Sequence, residues 1–80
     1  MYSKAIDLDP NNAVYLANRS LAHLRQESFG YALTDAISAV KSDPAYLKAY
    51  YRRAAAQMSL GKFKLALADF EYVIYIKKYN

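Results

Sequence analysis

Apolar residues recur at three- and four-residue spacing along most of the chain. Phe29, Ala32, Leu33, Ala36 and Val40 make one such stripe, and Phe63, Ala66, Leu67, Phe70, Val73 and Ile74 make another. That spacing is the signature of amphipathic helices, and no stretch shows the alternation of a half-buried strand. Periodicity and punctuation together predict helices at residues 2–8, 13–26, 29–41, 47–60 and 63–76. Asp9-Pro10 stops the first of these, since proline has no N–H to continue the ladder, and Asn12 is placed to cap the next. Asp43-Pro44 repeats the device. Gln26-Glu27-Ser28 and Leu60-Gly61-Lys62 are short turns between paired helices, the second with Gly where a left-handed residue ends a helix at least cost. Antiparallel helix hairpins are the expected unit.

The pattern also repeats on a longer scale. A shift of 34 residues lays Asp9-Pro10 on Asp43-Pro44, Arg19 on Arg53, Ala22 on Ala56, Phe29 on Phe63, Ala32-Leu33 on Ala66-Leu67, and Asp35 on Asp69. Stacked supersecondary units follow from such a period, and their concave side is a natural binding surface. Small residues at Ser20 and Ala54 on the first helices, and at Ala32 and Ala66 on the second, let each pair approach closely. Phe29 and Phe63 are expected to cover the turns. Tyr31, Tyr46 and Tyr50 are expected where repeats meet.

Eighty residues allow one small domain whose core barely offsets chain entropy, so regular packing has to supply stability. The chain has no cysteine, which leaves out a disulfide framework and a thiolate metal site. No apolar run approaches a membrane span and the N-terminus lacks the pattern of a signal peptide, so the expectation is a cytoplasmic or nuclear protein with no membrane partner. Charge is uneven: residues 1–40 hold three Lys/Arg against four Asp/Glu, and residues 41–80 hold eight against three. The second half carries the positive field that favours anionic partners. The chain's nine tyrosines suggest stacking, yet no RNA-binding signature accompanies them, and nucleic acid is not an expected partner. His23 has no second ligand at helical spacing, and no phosphate loop or nucleophile with an adjacent base is present. No metal, no cofactor and no catalysis is expected.

Two constellations remain. Asn18 and Arg52 are one repeat apart and so hold equivalent places on successive first helices, while Lys48 precedes Arg52 by one helical turn. A lysine, a forked guanidinium and an amide converging on one groove suit a carboxylate. The plainer alternative is that Lys48 and Arg52 are solvated helix charges and Asn18 a tolerated polar residue. Val14, Leu21, Tyr51 and Ala55 are candidates for lining the groove. In the second constellation, Arg19 and Asp35 have the same sixteen-residue separation as Arg53 and Asp69, which spans the two helices of a hairpin. Structural ion pairs are the economical reading, and recruitment of acidic peptide by these arginines is the alternative.

Counted from Pro10 and Pro44, the small, Phe, Ala and small or aliphatic positions fall on Ser20, Phe29, Ala32 and Ala39, then on Ala54, Phe63, Ala66 and Val73. This pattern resembles the tetratricopeptide-repeat (TPR) family, with Leu16, Tyr50, Arg19 and Arg53 as departures. The segments Asn18-Arg19-Ser20-Leu21-Ala22, Phe29-Gly30-Tyr31-Ala32-Leu33, Tyr50-Tyr51-Arg52-Arg53-Ala54-Ala55 and Leu60-Gly61-Lys62-Phe63 are most similar to TPR domains of the phosphatase 5 family. The resemblance implies an all-α, right-handed TPR solenoid (an alpha-alpha superhelix of about five helices), divided as 1–10, the second helix of a truncated repeat, then full repeats at 13–44 and 47–80. It also implies a carboxylate clamp for heat-shock chaperones ending in Glu-Glu-Val-Asp. Asn18, Lys48 and Arg52 match its third, fourth and fifth members, and the first two have no counterpart here. A regulatory role beside a phosphatase, and self-association or helix exchange through uncapped ends, are the further implications.

Overall fold

Residues 12–79 are described by a computed structural model. Four helices follow one another in it: α1 (Ala13–Arg25), α2 (Phe29–Ser42), α3 (Leu47–Ser59) and α4 (Phe63–Tyr79). The described residues contain no strand. The helix expected at residues 2–8 and its Asp9-Pro10 stop lie outside the described residues. Ends shift slightly: α1 and α3 each stop one residue early, α2 gains one, and α4 runs three residues past the expected 76.

The same turn chemistry builds both hairpins. Ser28 N–H donates to the His23 carbonyl at 2.8 Å and Glu27 N–H to Leu24 at 3.0 Å, while Lys62 N–H donates to Gln57 at 2.8 Å and Gly61 N–H to Met58 at 3.1 Å. Each is a Schellman closure, which satisfies the last carbonyls of a helix through one left-handed residue. Gly61 takes that conformation freely at φ 79°, but its repeat equivalent Glu27 is held at φ 60°, at a cost of about 1 kcal/mol. Asn12 caps α1, its Oδ1 accepting from Tyr15 N–H at 3.0 Å. At the join between hairpins, Asp43 is extended before Pro44, and its Oδ1 accepts from Ala45 N–H at 3.0 Å.

Alanine makes the core. Ala32, Ala36, Ala39, Ala49, Ala54, Ala56 and Ala66 are fully buried, so helix backbones meet without large side chains between them. Ser20 is fully buried too, its hydroxyl donating to the Ala32 carbonyl at 2.7 Å, whereas Ala54 fills the equivalent place without a bond. Between the hairpins, Tyr15, Leu16, Ala17 and Ala39 pack against Ala49 of α3, with Val40 and Tyr46 alongside.

Two expectations fail. Tyr31 does not join the hairpins: it is 71% exposed and lies against His23, ring centroids 5.6 Å apart. Phe63 does not cover its turn but stands 62% exposed, since Ala66 and Val73 face inward and place it on the flank of α4. Among the described residues no helix is long and apolar enough to cross a membrane.

Candidate functional site

Consecutive arginines on α3 point to different surroundings, because neighbouring helix positions lie about 100° apart. Arg53 faces its own hairpin partner. Its Nε and Nη2 donate to Asp69 Oδ2 and Oδ1, both at 2.8 Å, and its guanidinium lies 5.3 Å from the Tyr50 ring. Arg19 does the same in the first repeat, with Nε and Nη2 each 2.7 Å from Asp35 and Nη1 donating to Tyr15 Oη at 2.8 Å. The forks are bidentate and charge-assisted, the strongest class of side-chain bond. Hydrogen bonding to Asp35 and to Asp69 pushes both arginines above their already high ordinary range, against the opposing pull of burial. A raised folded-state value means that the arginine side of each pair contributes fully below the ordinary arginine range, so no arginine titration weakens it near neutrality. His23 Nε2 lies 3.5 Å from Asp35 Oδ2 and Gln57 replaces it in the second repeat, where its buried Oε1 has no donor among the described residues.

Arg52 faces elsewhere. With Leu47, Lys48 and Tyr51 of α3, and Val73 and Lys77 of α4, it lines an open pocket of about 370 Å³. Its guanidinium stacks 5.6 Å from the Tyr51 ring, and its Nε is buried without a hydrogen-bond partner. A buried donor left unpaired costs about 1–3 kcal/mol, so an arrangement that brings it an acceptor is favoured. No acidic residue lines the pocket. Lys48, Arg52 and Tyr51 are therefore brought together, as their spacing implied. Asn18 sits half-buried on α1, one repeat away, and does not line this pocket. Val14 is 44% exposed on α1, and Leu21 and Ala55 are half-buried; none of them lines it. Leu47, Val73 and Lys77 are lining residues that sequence reasoning did not place at the groove, Lys77 the charged one among them. Its signal was faint, because the apolar stripe ends at Ile76 and its repeat equivalent is Asp43. Among the described residues no cluster of three His, Cys, Asp or Glu could hold a metal.

No family model matches the chain. Solved structures do. The second TPR of Spaghetti (RPAP3), bound to the HSP90 peptide SRMEEVD, superposes with a TM-score of 0.83 at 38% identity over 92% of this chain and 68% of its own. The chain belongs to the tetratricopeptide-repeat family. Its fold is thus an all-α, right-handed TPR solenoid. The second TPR domain of human RPAP3, in complex with the HSP70 peptide SGPTIEEVD, is similar at a TM-score of 0.84 and 37% identity, covering 99% of this chain and 66% of that one. In sequence, this TPR chain is 56% identical over 79 residues to human serine/threonine-protein phosphatase 5. It spans only 16% of that enzyme's length, and the match covers 99% of the chain.

Proposed function

We propose that the chain is a peptide-binding TPR module that holds the free carboxylate of acidic C-terminal peptides of heat-shock chaperones. The unpaired, buried Nε of Arg52, in a pocket that also holds Lys48 and contains no acid, carries the reading. Lys48 and Arg52 donate directly and Asn18 donates from the neighbouring repeat. The similar RPAP3 domains support the class of ligand, since SRMEEVD and SGPTIEEVD share only their acidic C-terminal end. Calorimetric titration of the full chain with SRMEEVD as free acid and as C-terminal amide tests the proposal. The acid form should bind at least tenfold more tightly, as expected for loss of one charge-assisted contact. Equal binding of the two forms sinks it. In a longer phosphatase 5-like protein, occupancy of this groove would link chaperone binding to restraint of the enzyme.

A second reading concerns self-association, and comparison of the repeats favours it. Ala17 of the first repeat is 1% exposed under α3, but its equivalent Tyr51 is 48% exposed, and Ile74 and Leu67 are 64% and 56% exposed. α3 covers such a face in the first repeat, so helix exchange with a second copy is the occupant proposed for it, in competition with peptide because Tyr51 and Val73 also line the pocket. Sedimentation should give a concentration-dependent mass. A monomer throughout the accessible range would count against it.

A further inference from the structure

Three equivalent positions change together between the two repeats. Ala17, Asn18 and Ala36 of the first become Tyr51, Arg52 and Phe70 in the second, so the repeat that gains a guanidinium also gains two aromatic rings. The rings meet across the hairpin: Tyr51 of α3 and Phe70 of α4 pack edge to face, with centroids 5.7 Å apart and planes at 66°. The Arg52 guanidinium lies over the Tyr51 ring at 5.6 Å. Arg19 and Arg53 are each gripped by an aspartate, but among the described residues no ion pair holds Arg52, and its buried Nε has no hydrogen-bond partner. What Arg52 rests on is a ring. A long side chain that is not already held loses rotamer freedom when it grips a ligand, and that loss weakens binding. A ring beneath a guanidinium removes this cost without using up a donor, since stacking engages the flat face and the N–H groups lie in the plane.

We propose that Tyr51 is a positioning residue for carboxylate binding: braced by Phe70, its ring holds the Arg52 guanidinium in the orientation that grips the peptide terminus. This rests on the carboxylate-binding reading above and deepens it. Because Phe70 belongs to α4 while Tyr51 and Arg52 belong to α3, the fit of one helix against the other is carried to the binding group. Lys48 needs no such shelf, since the donors of an ammonium turn to suit whatever approaches. Tyr51 and Phe70 would fill space even without a guanidinium beside them, but the two roles differ in what they respond to. A residue that only walls the pocket contributes alike to any peptide, whereas a brace for Arg52 contributes when there is a carboxylate for Arg52 to hold. Phe70 sharpens the distinction, because it does not line the pocket and reaches Arg52 only through Tyr51.

The test titrates the full chain and its Tyr51→Leu, Tyr51→Phe and Phe70→Leu variants with SRMEEVD as free acid and as C-terminal amide, below the melting transition of each, and compares the ratio of the two affinities. Tyr51→Leu should weaken the acid about three- to tenfold, the size of a cation–π contact together with the restraint it places on one long side chain, and leave the amide within about twofold. Tyr51→Phe keeps the ring and should recover most of that loss. Phe70→Leu acts at one remove and should weaken the acid about two- to threefold, with the amide again less affected. Losses that are proportionate for acid and amide, so that the ratio stays at that of the unmodified chain, overturn the positioning role and leave the carboxylate reading standing. A Tyr51→Phe variant no better than Tyr51→Leu overturns it too, since the ring is then not what matters. A ratio that falls for Tyr51→Leu but not for Phe70→Leu removes Phe70 from the brace. If the unmodified chain does not distinguish the acid from the amide, the carboxylate reading fails and the positioning role falls with it.

Discussion

Arg52→Ala is expected to weaken binding of a free-acid peptide ten- to a hundredfold while leaving the unfolding temperature nearly unchanged. The first half follows from the guanidinium's place in the pocket, where a charge-assisted hydrogen bond contributes ~1.5–3 kcal/mol and each ~1.4 kcal/mol is tenfold in affinity. The second half follows from what Arg52 does not do. It forms no ion pair among the described residues, its ring contact with Tyr51 is with a neighbour on its own helix, and its removal abolishes a buried donor that had no partner. Lys48 is exposed, so Lys48→Ala should cost less. Titration and thermal unfolding on the same preparation check both halves. A variant that binds normally, or one that melts early, contradicts this division of roles.

One position along, Arg53→Ala should do the reverse, lowering stability by about 2–3 kcal/mol with little effect on the affinity of the folded molecule. Asp69 is 7% exposed and loses both of its 2.8 Å bonds, leaving a desolvated carboxylate between two helices. The full penalty for stranding a buried charge is larger, but the Arg53 side chain is 25% exposed, so water can reach the vacated place and relieve part of it. For a domain of this size each kcal/mol moves the melting temperature by about 4–8 °C, so the shift should exceed ~8 °C. Replacing both residues, as in Arg53→Leu with Asp69→Leu, should recover most of the loss, because no uncompensated charge is then left inside. A double variant no more stable than the single one would mean that the arginine matters through packing rather than through its charge.

Where the period and the local chemistry agree, the sequence was enough. The 34-residue shift places Ser20 with Ala54 and Ala32 with Ala66, and all four are fully buried at helix crossings. It also pairs each arginine with an aspartate sixteen residues on, and both pairs meet. Gly61 advertised its left-handed turn, whereas Glu27 adopts the same conformation with no compositional sign, because hairpin closure imposes it from outside. A period fixes equivalent places but not equivalent surroundings. Ala17 and Tyr51 share a helix position, yet the first is 1% exposed under α3 and the second 48% exposed at the pocket. Tyr31 was misjudged for the same reason, its helix presenting Ala32, Ala36 and Ala39 to the neighbours instead. Lys77 stayed hidden because hydrophobic periodicity marks where a helix buries a face and not where its backbone ladder ends.

The alanine core has a thermal consequence. Heat capacity of unfolding grows with apolar surface newly handed to water, and here the fully buried positions are mostly single methyl groups while Phe63, Leu65, Ile74, Tyr75 and Tyr79 already stand in solvent. Little apolar area remains to be released. The free energy of unfolding therefore bends only gently with temperature, giving a low, broad stability curve in place of a tall narrow one. Such a molecule gains little by cooling, and its resistance to warming depends on each small increment in the helix pairs rather than on a reservoir of buried surface.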